Sequence, residues 1–192
     1  MKIITNNIPN TLTIMRILMI PLMVLFFYME AKYGSTVIFL CFFTYVFAAI
    51  TDYFDGFFAR KLNQHSAFGT FLDPISDKIL VSVLLITLVA FDRITGLWTI
   101  LVMLIFTREF LVSGMREYLG PKKISMPVTQ IAKLKTTVQM VAIGFLILSN
   151  HSPYAYEIGL ILLTLATILT IISGLQYFFK GVKHIKDEQT EN

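Results

Sequence analysis

Apolar residues fall in six long runs, at approximately 11–29, 34–58, 73–91, 95–118, 128–149 and 154–179. Each is close to the ~20 residues a helix needs to cross the hydrocarbon core of a membrane. Between them lie Arg60-Lys61-Leu62-Asn63-Gln64-His65, Asp92-Arg93, Gly120-Pro121-Lys122-Lys123 and Asn150-His151-Ser152-Pro153, which are turn and breaker compositions. The pattern predicts an all-α integral membrane protein with six transmembrane helices. It forms a single domain over residues 1–192, with a helical core at 10–180 and a cytoplasmic tail at 181–192. Ile3, Ile4 and Ile8 are too few to span and suit a short N-terminal juxtamembrane helix, with Asn10 or Thr11 capping the helix that follows. Pro21 is expected to kink the first span.

Composition agrees with the pattern. The chain is 56% hydrophobic and 15% charged, with a mean hydropathy of +0.72; a soluble domain has about a quarter of its residues charged. A net charge of +4 does not point to nucleic acid here, because basic residues of membrane proteins set topology and meet anionic lipid. The single cysteine, Cys41, excludes an internal disulfide and reads as a buried thiol.

The basic residues also give an orientation. Lys32 and Arg93 fall on one side, whereas Lys2, Arg60, Lys61, Lys122, Lys123, Lys180, Lys183 and Lys186 fall on the other. The richer side is expected to be cytoplasmic, which places both termini there. Tyr33, Trp98 and Tyr154 then mark the opposite boundary as interface anchors. No targeting segment is evident at the start, which suits the plasma membrane of a bacterium.

Against this background one polar cluster stands out. Residues 52–77 read DYFDGFFARKLNQHSAFGTFLDPISD and carry Asp52, Asp55, Asp73 and Asp77. Ionised carboxylates in apolar surroundings need a partner or a cation. Asp52 and Asp55 are three residues apart, and Asp73 and Asp77 four apart, so each pair shares a helix face. If the two helices are antiparallel neighbours, the pairs converge. All-oxygen ligation favours Mg²⁺ or Mn²⁺ over zinc, and four carboxylates suit two such ions. Two ions suit in-line phosphoryl transfer, and Mg²⁺ binds readily through a substrate's diphosphate. Gly56 and Gly69 are poor helix formers that leave room for a nucleotide. Ala59 is small for the same reason or for a tight helix crossing. Arg60 suits a phosphate oxygen, or a topological charge. His65, His151 and His184 are too dispersed for a zinc site.

The pattern D-x-x-D-G-x-x-A-R, eight residues, then G-x-x-x-D-x-x-x-D resembles the signature of the CDP-alcohol phosphatidyltransferase family. Asp52, Asp55, Gly56, Ala59, Arg60, Gly69, Asp73 and Asp77 fill its fixed positions. The resemblance implies transfer of a phosphatidyl group from a CDP-lipid to an alcohol, with release of CMP, by a membrane homodimer. It implies that Asp52, Asp55 and Asp73 hold the metals, while Asp77 holds one and acts as general base. It also implies that Gly56, Ala59 and Gly69 line the cytidine pocket and that Arg60 meets the diphosphate. Thr13 and Asn10 are placed to reach the nucleotide from the first helix.

The signature leaves the acceptor open. Arg108, Arg116, Lys133 and Lys135 lie in or beside the fourth and fifth apolar runs, and Glu109 and Glu117 are too few to neutralise all four. Cations in apolar helices face a cavity or a partner, and their surplus suits an acceptor phosphate. Thr107-Arg108-Glu109-Phe110, with Gly114, Arg116 and Glu117, resembles the branch of the family that accepts sn-glycerol 3-phosphate. So do Ile8-Pro9-Asn10 with Leu12, Thr13, Arg16 and Pro21, and the stretch Lys133-x-Lys135-Thr136. The other acceptors to weigh are phosphatidylglycerol, an inositol phosphate and serine. From a different class, intramembrane acids also mark cation carriers, although a carrier does not require Arg60 and the glycines at these spacings.

Overall fold

The computed structural model describes the backbone of residues 8–62, 67–120 and 129–191; the side chains of 8–10, 52–62, 67–70, 73 and 183–191 lie outside the description. Among the described residues six α-helices run in chain order: α1 (Ile8–Tyr33), α2 (Ser35–Leu62), α3 (Ala67–Ala90), α4 (Trp98–Leu119), α5 (Gln130–Ile147) and α6 (Pro153–Glu191). No strand occurs among the described residues.

Three helices are long and apolar enough to cross a membrane: Thr11–Tyr33, Trp98–Leu119 and Pro153–Val182. Ser35–Thr51 is a shorter apolar helix. Six helices are therefore present, and three of the six expected spans meet this standard among the described residues. α5 falls short for a physical reason: it has 18 residues, and Lys133 and Lys135 occupy its first two turns.

Two of the described connections follow their sequence chemistry. α1 ends at Gly34, whose φ of +67° favours glycine, and the Gly34 N–H donates to the Glu30 carbonyl at 2.8 Å. α6 begins with Pro153 after an extended Ser152, whose hydroxyl accepts from the Ala155 N–H at 3.3 Å.

Two boundaries differ from expectation. α1 already begins at Ile8, so Asn10 and Thr11 lie inside its first turns rather than capping it. The juxtamembrane helix expected before it falls on residues 1–7, outside the described residues. The segment expected as a tail continues α6 to Glu191, because Lys, Glu and Gln are good helix formers.

Two compact units divide the chain. The first holds Met1–Ile94 and Ile143–Gly159, and the second holds Thr95–Ala142 and Leu160–Asn192. In the first, α1 packs against both α2 and α3. Its buried positions are Thr13, Arg16, Ile20, Met23 and Phe27, a three-four repeat that keeps one helix face inward. α2 buries Ile38, Cys41, Tyr45 and Ala48 in the same repeat, and positions 52 and 55 continue that register. In α3, Ser76, Leu80, Leu84 and Thr87 continue the register of position 73.

The end of this unit holds a charged node. Arg93 was expected as a loop charge that helps set topology, yet it is fully buried. Its Nη2 donates to Glu30 Oε1 at 2.6 Å and Oε2 at 2.5 Å, and its Nη1 donates to the Ile147 carbonyl at 2.8 Å. The Phe27 ring lies 5.3 Å from the guanidinium, and His151 Nε2 is 2.9 Å from Glu30 Oε1. Buried charge requires such pairing; sequence spacing gave no hint that Glu30 would supply it.

In the second unit, Val112, Ala132 and Tyr177 form a buried cluster from α4, α5 and α6. Thr164, Thr167 and Thr170 donate to carbonyls one turn earlier in α6, which hides their hydroxyls within an apolar helix.

Candidate active site

In the first unit the four aspartates occupy two helices: positions 52 and 55 lie on α2, and positions 73 and 77 on α3. Gly56 and Ala59 lie within α2 and Gly69 within α3, so both glycines interrupt neither helix. Each glycine costs its helix about 1 kcal/mol relative to alanine, which favours a reason other than helix formation for its presence. The side chains of Asp52, Asp55, Ala59, Arg60, Asp73 and Asn10 are outside the described residues.

Asp77 is described. Its side chain is 50% exposed, and Oδ1 accepts from Arg16 Nη1 at 2.8 Å. The same nitrogen donates to the buried Ser76 hydroxyl at 3.1 Å. Thr13 sits one turn before Arg16 on the same buried face of α1. In the sequence Arg16 figures only in the N-terminal stretch that resembles the acceptor branch, and no spacing rule links it to a residue 61 positions away.

Among the described residues no group of three or more metal-ligating side chains occurs, and three of the four aspartates lie outside that set. The donor set nevertheless fits a hard cation. It is all oxygen, it is paired at three- and four-residue helical spacing, and its one described member is half open to solvent.

The second unit contains a separate cationic group. Lys135 Nζ donates to Glu109 Oε1 at 2.5 Å, and Arg108 Nη1 donates to the same oxygen at 2.9 Å. Sharing one carboxylate oxygen leaves neither charge fully offset by it. Arg108 Nη2 donates to the Ser173 hydroxyl at 3.1 Å. Arg116 Nη2 donates to the Tyr177 hydroxyl at 2.9 Å, which also accepts from the Thr129 N–H at 3.2 Å. Both guanidinium groups lie over the Tyr177 ring, at 5.7 Å for Arg108 and 5.0 Å for Arg116. α6 admits Arg108 only because residue 174 is glycine: a Cβ there would stand 2.7 Å from Arg108 Cγ. Gln139 is buried one turn after Lys135, and its Nε2 has no hydrogen-bond partner.

Arg108, Arg116 and Lys135 are thus brought together. Lys133 is not: it is exposed and stands two residues from Lys135, about 200° around the helix. The spacing already implied this separation. Ser173, Gly174 and Tyr177 had no signal in the sequence, since α6 reads as a uniform apolar span.

A family model described as CDP-alcohol phosphatidyltransferase matches residues 6–172. The chain belongs to the CDP-alcohol phosphatidyltransferase family. The likeness drawn from eight positions between Asp52 and Asp77 is borne out at the level of the family.

Curated relatives extend the match to nearly the whole chain. A Rickettsia prowazekii protein named CDP-diacylglycerol--glycerol-3-phosphate 3-phosphatidyltransferase is 45% identical over 178 residues, covering 91% of this chain and 95% of the relative. A Cereibacter sphaeroides protein of the same name is 36% identical over 222 residues, covering 95% and 99%. One from Wigglesworthia glossinidia brevipalpis, again of that name, is 38% identical over 179 residues, covering 90% and 93%.

Proposed function

We infer that this member of the family moves the phosphatidyl group of CDP-diacylglycerol to sn-glycerol 3-phosphate, giving phosphatidylglycerophosphate and CMP in phospholipid synthesis. The observation that carries the acceptor is the cationic group of the second unit. Two arginines over one tyrosine ring and a buried lysine suit a phosphate monoester. Serine supplies no phosphate for such a group, and phosphatidylglycerol only a diester.

In this reading Asp52, Asp55, Asp73 and Asp77 hold two Mg²⁺ or Mn²⁺ ions. The ions supply positive charge that offsets the charge developing on the phosphate oxygens. Gly56, Ala59 and Gly69 leave space for the cytidine, Arg60 binds the diphosphate, and Asn10 and Thr13 meet the nucleotide from α1. Arg108, Arg116 and Lys135 bind the acceptor phosphate, and Lys133 contributes at most long-range charge. Asp77 takes the proton of the acceptor hydroxyl. The hydroxyl oxygen bonds to the phosphatidyl phosphorus, the bond from that phosphorus to the bridging diphosphate oxygen breaks, and CMP leaves.

The protein resides in the plasma membrane as a homodimer, with its termini and active site cytoplasmic. The basic residues support that orientation more firmly once Arg93 is discounted, since Glu30 neutralises it.

The test is CMP release by the purified protein in detergent, with CDP-diacylglycerol and Mg²⁺. Glycerol 3-phosphate, phosphatidylglycerol, inositol phosphate and serine are supplied in parallel. Release with glycerol 3-phosphate alone is expected. Release with another acceptor overturns the reading of Arg108, Arg116 and Lys135, and no release with any acceptor returns the aspartates to the cation-carrier hypothesis.

A further inference from the structure

Arg16 lies outside the aspartate signature, in the N-terminal stretch that resembles the acceptor branch, and the roles set out above give it none. It lies on the buried face of α1, the helix that packs against both α2 and α3. A guanidinium in that position is strongly unfavourable unless it is paired. Its Nη1 bonds two consecutive α3 residues, the buried Ser76 hydroxyl at 3.1 Å and Asp77 Oδ1 at 2.8 Å. The arrangement is asymmetric: the arginine is fully buried, whereas the carboxylate is half exposed. A pair that served only to hold helices together is better built with the acid largely covered as well, as Glu30 is at 15% exposure beside Arg93.

We propose that Arg16 is a positioning residue for Asp77, gripping the carboxylate from the protein side so that its exposed side is aimed at the metals and the acceptor hydroxyl. The proposal rests on the functional reading above, in which Asp77 is both ligand and base. Arginine suits the task because it stays charged and does not exchange a proton with its partner. It therefore fixes the carboxylate's orientation without competing for the acceptor's proton. Ser76 adds a second anchor on the same nitrogen, which limits rotation of the guanidinium about the pair. Loss of partners that orient metal ligands in this way typically costs about 10–100-fold in metal affinity or activity.

The experiment compares wild type, Arg16→Gln, Arg16→Lys, Asp77→Asn and the Arg16→Gln/Asp77→Asn double variant, each purified in detergent. Steady-state CMP release is one readout and Mn²⁺ binding by electron paramagnetic resonance the other. Arg16→Gln is expected to lower kcat about a hundredfold, with KM for both substrates within about threefold of wild type. Mn²⁺ affinity falls about tenfold. In the Asp77→Asn background the same substitution adds no more than about twofold to either loss, because the charged carboxylate that Arg16 orients is already gone. Arg16→Lys retains the charge and recovers part of kcat; it also serves if the glutamine variant fails to fold.

Losses that multiply in the double variant overturn the proposal, as does unchanged Mn²⁺ binding in both Arg16 variants. If wild type releases no CMP with glycerol 3-phosphate, the functional reading fails. The Mn²⁺ titrations then still decide whether Arg16 acts through Asp77.

Discussion

Arg16 and Arg93 belong to the same unit, and both are fully buried, yet they are built for different purposes. Their acidic partners differ in exposure: Asp77 is 50% exposed and Glu30 15%. Arg93 spends both terminal nitrogens, on two carboxylate oxygens and on the carbonyl that ends α5. Arg16 Nη1 holds one oxygen of Asp77 and the neighbouring Ser76 hydroxyl. Fourteen residues of α1 separate Arg16 from Glu30, roughly 21 Å of helix. One end of the unit is therefore closed by its arginine, and the other uses its arginine to present a carboxylate. A buried cation marks function when its partner remains accessible, and structure when the pair is sealed.

The widest separation between the two ends comes from removing charge at each. Asp77→Asn keeps size and hydrogen bonding but takes away the basic oxygen. CMP release per folded molecule is expected to fall about a thousandfold with CDP-diacylglycerol still bound, while the thermal midpoint in detergent also falls because buried Arg16 loses its charged partner. Equal turnover in mutant and wild type removes Asp77 from the mechanism. Arg93→Ala costs stability without touching turnover. It leaves Glu30 with an uncompensated charge and the Ile147 carbonyl without its donor, and it is expected to cost about 3–5 kcal/mol of stability. Thermal unfolding measures the loss, while the fraction that stays folded retains wild-type kcat. A large fall in kcat with unchanged stability makes the two arginines alike and ends the distinction.

The same contrast shows what the sequence carried and what it did not. Apolar runs and breaker residues sufficed for the six helices among the described residues, and described connections such as Gly34 and Ser152-Pro153 carry their own local chemistry. The aspartate spacing placed 52 with 55 and 73 with 77, since those distances are properties of one helix. Pairings between helices were beyond reach. Nothing local distinguishes Arg16 beside Asp77 from Arg16 at any other buried site, and Arg93 looked like a loop charge because Glu30 lies 63 residues away. Lys133 is a different kind of miss, since its two-residue offset from Lys135 already argued against a shared face. Tyr177 and Gly174 were hidden because an apolar α6 does not show which of its faces receives Arg108 and Arg116.

Gly174 extends the comparison to the second unit, where the question is whether seating an arginine matters as much as pairing one. Gly174→Ala places a methyl group 2.7 Å from Arg108 Cγ, so the side chain must move off α6 and away from the Ser173 hydroxyl. KM for glycerol 3-phosphate is expected to rise about fivefold, with KM for CDP-diacylglycerol unchanged. An unchanged acceptor KM shows that Arg108 does not depend on this seat.

The rim of the closed node gives the gentlest probe. His151 reaches Glu30 Oε1 at 2.9 Å from a partly exposed position, outside the bidentate grip of Arg93. If Arg93 already satisfies Glu30, the histidine adds only what a solvent-screened pair adds, about 0.2–1 kcal/mol. His151→Gln is then expected to lower the thermal midpoint by no more than about 4 °C, with CMP release untouched. A drop comparable to that of Arg93→Ala means that the node is not sealed by the arginine and that Glu30 depends on both partners. The difference between the two ends of α1 then lies in how many groups share each carboxylate, and exposure of the acid alone no longer separates the structural arginine from the functional one.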